Sequence, residues 1–307
     1  MREVPEGPSW THAVRRGLRA AKDSFFPKPK VVAPRAPLIG VALGGGFARG
    51  IAHIGVLRVF EKHKIPIHAI AGVSAGAMVA AAYAGGATTA EIEKAARGMR
   101  FRDVARWTIS LMGLADSGRM IPFLGRLLKA TTFERMNIAL AVVASDIVAG
   151  KPFVFRGEGD VVLAIRASCS YPGLFQPVRH NGCCLVDGYV CCEVPTDPLR
   201  HMGVDRVIAV HLPGPSGGVD PRNLFAVVHR CFQVMGTRLD NEWRSQADLV
   251  ITPEVAHVPW DSFTSVAEMI ALGEKAALEA LPEIERWLGR DAAWTAEAPA
   301  RVRERID

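Results

Sequence analysis

Gly72-Val73-Ser74-Ala75-Gly76 reads G-x-S-x-G, and its flanks decide the fold. Upstream, Ile65-Pro66-Ile67-His68-Ala69-Ile70-Ala71 is an apolar run of strand length. Downstream, residues 77–84 are good helix formers, stopped by Gly85-Gly86. A serine at a strand–turn–helix junction is lifted clear of the sheet, and small residues two positions either side let the backbone turn sharply. Its Oγ is then exposed, with partial positive charge from the helix N-terminus beside a developing oxyanion. Gly, Ala and Ser are common, so the five residues alone discriminate little. The strand and helix around them carry the reading.

A second strand–loop–helix lies upstream. Pro37-Leu38-Ile39-Gly40-Val41-Ala42-Leu43 has the continuous apolar character of a buried strand. It runs into Gly44-Gly45-Gly46-Phe47-Ala48-Arg49-Gly50, and residues 51–60 then show helical apolar spacing. A Gly-rich loop there points backbone N–H groups at an anion, either a phosphate or an acyl-transfer oxyanion. Dinucleotide binding needs G-x-G-x-x-G and an acidic residue about 20 positions on. The frame from Gly44 ends on Arg49, the frame from Gly45 puts Phe47 at the second glycine, and the nearest acid, Glu61, follows helix. An oxyanion loop serving Ser74 is the better reading. A third signal is Asp187-Gly188, delivered by a hairpin that turns at Asn181-Gly182.

In this order the three features resemble the patatin-like phospholipase family, over roughly residues 37–285. Gly44-Gly45-Gly46-Phe47-Ala48-Arg49-Gly50 is similar to the family's oxyanion loop with its arginine, and residues 72–76 to its nucleophile elbow. Residues 167–178 are similar to the segment preceding its aspartate, Asp187-Gly188 to its dyad motif, and Glu193-Val194-Pro195 to the stretch that follows. Two positions depart from the pattern: Tyr189 stands where the family has a small residue after Asp-Gly, and Phe47 replaces a small residue in the loop. The resemblance implies a serine acyl hydrolase acting on lipid esters, whether phospholipid, lysophospholipid or simple acyl ester. Ser74 would be its nucleophile and Asp187 its base, without metal or cofactor. The amides of Gly44, Gly45, Gly46 and Phe47 would hold the oxyanion, braced by Arg49. Two alternatives stay open. One is a Ser-Asp-His triad using His201, His211, His229 or His257, with His211 at a strand end the first to test. The other is a non-catalytic binding protein that keeps the fold.

The 307 residues suffice for one large domain with a full core, and 49% hydrophobic against 22% charged residues excludes a disordered chain. Candidate strands at 38–43, 67–73, 138–145, 152–155, 178–186, 206–212 and 248–252 alternate with candidate helices at 51–62, 75–84, 89–98, 160–169, 222–246 and 264–288. That alternation predicts an α/β fold, a mostly parallel central sheet with helices on both faces. Residues 103–136 lack strand character and carry Trp107, Leu111, Met112, Leu114, Met120 and Ile121. They form either a cover over an acyl pocket or an ordinary packed helical insertion.

The expected organisation is a basic amphipathic helix and Pro-rich linker at 1–36, a catalytic domain at 37–290 and a charged tail at 291–307. Residues 1–40 hold eight basic and three acidic residues, which accounts for nearly all of the net +6. The body is close to neutral, so nucleic acid is not an expected partner. Trp10, Val14, Leu18, Ala21 and Phe25 make one helical stripe, with Arg15, Arg16, Arg19 and Lys22 largely off it. Residues 10–26 therefore suit an anionic membrane surface, or pack on the protein's own body or a second subunit. No signal peptide is recognisable, so a cytoplasmic location is expected, with a peripheral position on the inner face of the cell membrane as its extension. The uncharged run 65–90 is rich in Ala and Gly, and the elbow explains it better than a membrane span does. Cys183, Cys184, Cys191 and Cys192 bracket Asp187. Adjacent strand residues face opposite ways, so reduced thiols are expected there rather than zinc.

Overall fold

The computed structural model describes residues 35–214, 220–221, 224–259 and 262–290. The helix expected within residues 10–26 and the tail at 291–307 lie outside the described residues. In chain order the strands are β1 (Ile39–Leu43), β2 (Ala69–Val73), β3 (Arg106–Trp107), β4 (Ala115–Asp116), β5 (Ala139–Asp146), β6 (Lys151–Arg156), β7 (Val178–His180), β8 (Cys183–Asp187), β9 (Arg206–Val210) and β10 (Leu249–Ile251). The helices are α1 (Ala52–Lys62), α2 (Ala75–Ala84), α3 (Thr89–Gly98), α4 (Phe101–Val104), α5 (Met120–Leu127), α6 (Val161–Ser168), α7 (Thr196–His201), α8 (Leu224–Ser245) and α9 (Val266–Trp287). A short 3-10 turn, Phe47–Ile51, leads into α1.

The central strands β10, β9, β1, β2 and β5 run parallel in that order. Their side chains alternate by size. Ile39, Val41 and Leu43 of β1, Ile70 of β2, Val142 of β5 and Ile208 of β9 enter the large core on one face. Ala42, Ala69, Ala71, Ala141 and Ala209 face the other way and meet Leu199 of α7 and Trp243 of α8. Burial on both faces is what a parallel sheet requires, and it explains the unbroken apolar runs in these strands. α2 is apolar all round because it packs into the interior on nearly every side.

The position of the site follows from the edges of β5. Residues 141–143 pair with both β2 and β6, and residues 144–146 pair with both β8 and β6. A strand has two edges. With β6 along one of them, β2 and β8 must share the other, end to end. β2 runs up to Val73 opposite Val143, and antiparallel β8 arrives with Asp187 opposite Ala144. The β7–β8 hairpin turns at Asn181 and Gly182, both with positive φ (47° and 81°), as Asn-Gly hairpins do.

The segment between α3 and β5 contains two short helices and the β3–β4 hairpin, none of which the apolar periodicity marked. Among the described residues, no helix is long and apolar enough to cross a membrane. The run 65–90 is β2 and α2.

α1 and α9 cross closely at two glycines. A Cβ on Gly55 would lie 2.0 Å from the Ile270 carbonyl oxygen, and one on Gly273 would lie 2.0 Å from that of Ala52. Gly55→Ala should therefore cost about 1–3 kcal/mol, since backbone rather than a side-chain tip must yield. Gly98→Ala, with nothing within 4 Å of the added carbon, should be neutral or slightly stabilising. Urea midpoints of the two variants test this, and equal midpoints would contradict the close crossing.

Candidate active site

Ser74 sits between β2 and α2 with φ 53° and ψ −123°, a left-sided conformation that costs a non-glycine residue about 1–3 kcal/mol. The neighbourhood holds it there. A Cβ at Gly72 would meet the backbone of Ala77 at 2.5 Å, and one at Gly76 would meet the Leu43 carbonyl oxygen at 2.3 Å. The elbow therefore interlocks with the end of β1 only because both positions are glycine. The Ser74 amide donates to Ser168 Oγ at 2.8 Å, and the Ser168 hydroxyl donates to the Val143 carbonyl at 2.6 Å. Ser168 thus ties the strained turn to β5.

Ser74 Oγ donates to Asp187 Oδ2 at 2.7 Å. The other carboxylate oxygen, Oδ1, accepts the Tyr189 amide at 2.9 Å. Asp187 is 1% exposed. Burial destabilises its charged form and pushes the pKa from 3.8 up to about 7, against the lowering effect of the Tyr189 and Ser74 hydrogen bonds. Gly188 permits this approach, since a Cβ there would lie 2.2 Å from the Val143 carbonyl oxygen. Ser74 is 8% exposed, which corrects the expectation of a solvent-facing hydroxyl. The turn lifts Oγ out of the sheet, but the surrounding loops cover it, and it faces internal space instead.

That space has two parts. On one side lies a cavity of about 490 Å³ with mostly apolar walls, including Ile54, Met78, Met120, Phe123 and Phe175. The segment between α3 and β5 supplies much of this wall, so residues 101–127 both pack and cover the pocket. On the other side is a small recess of about 40 Å³, lined by Gly45, Gly46, Phe47, Arg49, Asp187 and Tyr189 among others. An arrangement of hydroxyl, carboxylate, apolar cavity and loop suits an uncharged carbonyl substrate with an alkyl tail.

The Gly-rich loop reaches Ser74, but its amides are not equivalent. Gly44 N–H donates to the Val210 carbonyl at 3.0 Å and Gly45 N–H to that of Glu193 at 3.1 Å. Both N–H groups, expected to face an oxyanion, are thus bonded to the scaffold. Phe47 adopts φ 50°, a left-handed value that glycine takes freely and a residue with a Cβ does not. Its ring meets Tyr171 edge-on at 4.9 Å. Arg49 is buried and its Nε donates to the Val258 carbonyl at 2.9 Å, so a carbonyl, not a carboxylate, fixes it.

Sequence reasoning missed His53. It is buried on α1, and its Nε2–H donates to the Gly44 carbonyl at 2.9 Å. Burial holds its pKa down at about 4, so the ring is neutral at pH 7. An apolar-face histidine four residues after Arg49 was the only signal in the sequence. Ser168 lay inside a segment singled out above, but nothing marked it among that segment's hydroxyls.

Of the four histidines of the triad alternative, His229 lines the small recess with Ser74 and Asp187, and the other three lie outside it. His211 pairs with Glu193 at 3.1 Å, His257 with Glu268 at 2.9 Å and His201 with Asp197 at 3.3 Å. His229 meets the Tyr171 hydroxyl at 3.0 Å. None is bonded to Asp187. Tyr189 lies against Gly45 and donates to Glu193, which narrows the recess and leaves Asp187 in place. Cys169 and Cys184 are buried, Cys183, Cys191 and Cys192 are partly so, and all are free thiols. Among the described residues no group of three or more His, Cys, Asp or Glu is placed to hold a metal.

The family model described as Patatin-like phospholipase matches residues 41–200. An uncharacterized NTE family protein of Mycobacterium tuberculosis is 33% identical over 186 residues, 60% of this chain and 51% of that protein. Lysophospholipase NTE1 of Candida albicans is 28% identical over 211 residues, 67% of this chain and 15% of that protein. The chain thus spans about half of the first and a small part of the second. Among solved structures, VipD from Legionella pneumophila aligns with a TM-score of 0.49 at 14% identity, covering 82% of this chain and 67% of that one.

The raised Asp187 pKa has a consequence for stability. Between about pH 4 and 7 the unfolded chain has lost a proton that the folded one keeps, so folding stability falls as pH rises through that window. Asn cannot titrate and can still hydrogen-bond Ser74 and Tyr189. Asp187→Asn should raise Tm above the wild-type value at pH 8, with the difference shrinking toward zero near pH 4. A difference that stays constant with pH would show that Asp187 ionises normally.

Proposed function

The chain belongs to the patatin-like phospholipase family, and we propose that it hydrolyses carboxylic esters of lipids through Ser74 and Asp187. The observation that carries this reading is the 2.7 Å hydrogen bond to the buried Asp187 carboxylate from Ser74 Oγ, a residue that also lines the apolar cavity of about 490 Å³. The acyl chain occupies the cavity, and the ester carbonyl lies at Ser74. Oγ attacks the carbonyl carbon as its proton passes to Asp187 Oδ2. The oxyanion is met by the N-terminal amides of α2 and by Gly46. The tetrahedral intermediate collapses to an acyl-enzyme, and the proton on Asp187 leaves with the alcohol. Water then adds to the acyl carbonyl, giving its proton to Asp187, and the fatty acid departs as Ser74 recovers its hydrogen.

A lone carboxylate is ordinarily a weak base for this task. Burial brings the pKa of Asp187 to about 7, near the ambient pH where a proton shuttle works best. The NTE1 relative bears the name lysophospholipase. A cavity of this size fits one acyl chain more readily than two, so a single-chain ester is the substrate class we favour.

A fluorophosphonate probe should label the wild type and not Ser74→Ala, and the folded Ala variant should lose ester turnover. Labelling or turnover that survives this change would place the nucleophile elsewhere. Asp187→Asn should lower kcat by roughly 10³–10⁴, a size seen when a catalytic proton acceptor is neutralised. His211→Asn should keep most activity; a loss as deep as that of Asp187→Asn would restore the triad.

The pH profile gives an independent check. The base must be ionised, so kcat/KM should rise about tenfold per pH unit below neutrality and level off above about pH 7. A profile already flat from pH 5 upward would mean an ordinary carboxylate pKa.

A further inference from the structure

The β3–β4 hairpin carries a run of apolar side chains that its own structure leaves outside. Trp107, Ile109, Leu111, Met112 and Leu114 are all exposed, Ile109 and Leu111 over essentially their whole surface. Their exposure is enforced from below. Arg106 pairs with Asp116 and Trp107 with Ala115, and the Thr108 amide donates to the Leu114 carbonyl at 3.0 Å. The base is clamped to the body, with Ala115 N–H donating to Leu174 O at 2.8 Å and Gln176 N–H to Ala115 O at 3.0 Å. Gly113 touches the Phe175–Gln176 backbone so closely that a Cβ would lie 2.6 Å from it. The tip therefore has no room to fold inward. Soluble surfaces rarely tolerate such a cluster without a partner.

Two further facts identify the partner. First, Trp107 and Leu114 are exposed and also line the apolar cavity, so they form part of its rim. Patch and cavity are one continuous apolar surface. Second, the segment that carries the patch is rich in exposed cations: Arg102, Arg106, Arg119 and Arg126 are exposed, and Arg119 reaches the Arg102 carbonyl at 3.0 Å. Asp116 pairs with Arg106 at 3.8 Å and accepts the Gly118 amide at 2.9 Å, and Asp103 accepts the Arg100 amide at 2.9 Å, so Arg102, Arg119 and Arg126 keep the segment net positive. An apolar tip on a cationic segment matches an anionic bilayer, where side chains enter the acyl region and arginines meet lipid phosphates. A second copy would bring the same positive segment face to face with the first, which argues against a dimer here.

We propose that the β3–β4 tip and the arginines of its segment seat the protein on an anionic lipid bilayer, with the cavity mouth against the membrane. Trp107 lies at the headgroup level, as interfacial tryptophans do. An acyl chain can then slide from the bilayer into the cavity without crossing water. That last step rests on the lipid-ester reading above, whereas the seating does not.

The test is flotation of the full chain with vesicles of phosphatidylcholine, with and without phosphatidylglycerol, for the wild type and two double variants. Ile109→Asp with Leu111→Asp should weaken binding to the anionic vesicles at least tenfold, since two apolar side chains lose their burial. Turnover of a soluble short-chain ester should be unchanged. Arg102→Gln with Arg126→Gln should lower binding only where phosphatidylglycerol is present. Brominated acyl chains should quench tryptophan emission in the wild type, and Trp107→Phe should remove most of that quenching.

Wild-type binding that all variants retain, or quenching that Trp107→Phe leaves intact, would overturn the proposal by placing the contact elsewhere. A wild-type dimer that binds no vesicles and becomes monomeric in the Asp variant would also overturn it, making the tip a self-association surface. If the binding pattern holds but no soluble ester is hydrolysed, the seating stands and the hydrolase reading fails. If hydrolysis holds and the Asp variant binds vesicles normally, the reverse follows.

Discussion

The shared edge of β5 is the constraint on which the site depends. β2 delivers Ser74 past Val143, β8 delivers Asp187 opposite Ala144, and the two strands meet end to end along one ladder. No loop has to be positioned to bring hydroxyl and carboxylate together, because strand register does it. The Val143 carbonyl is the common anchor. It accepts the Ser168 hydroxyl that holds the Ser74 amide, and it lies so close to Gly188 that any side chain there would collide with it. Ser74, Asp187 and the hydroxyl that braces the turn are therefore all located relative to one peptide group.

The same arrangement sets the electrostatics. A histidine beside the serine would provide a base with a suitable pKa in water. Here a carboxylate gains basicity by losing water, and the cost is a buried titratable group that opposes folding at neutral pH. Backbone strain at Ser74 and Phe47 adds to that cost. Both are offset by the large apolar core on the α1, α2 and α9 face, where the central strands are fully buried. Stability is given up at the centre of the molecule and recovered around it.

Much of this was visible in the sequence, for physical reasons that differ from element to element. β1, β2, β5 and the helices α1–α3, α6, α8 and α9 lie within about two residues of their expected bounds, because apolar runs between glycines and prolines leave little choice. Ser74 and Asp187 stood out because each is set in a turn that few other residue patterns form. α4, α7 and the two-residue strands of the hairpin were not legible because they are too short to show a period, and α5, as long as α6, is interrupted by Pro122 and Gly125. Nor can a sequence show which amide of a Gly-rich loop is already bonded. Gly44 and Gly45 look as suitable as Gly46 until β9 and the Glu193 carbonyl are placed beside them. Ser168 and His53 act on backbone groups, and such roles leave no mark in residue type.

The joining of β2 and β8 along β5 also bears on the order in which the chain assembles. Ser74 and Asp187 are 113 residues apart, and Ser74 and Ser168 are 94 apart. Contacts that close such long loops form late and slowly, after local helices and neighbouring strands. A chain emerging from synthesis builds β1, α1, β2 and α2 early, before Ser168 can brace the Ser74 turn or Asp187 can accept its hydrogen bond. The hydroxyl gains its partner only when β8 docks, which also requires the β7–β8 hairpin to have closed. In a nascent or half-folded chain the Ser74–Asp187 hydrogen bond is thus absent, and it exists only once the sheet is complete.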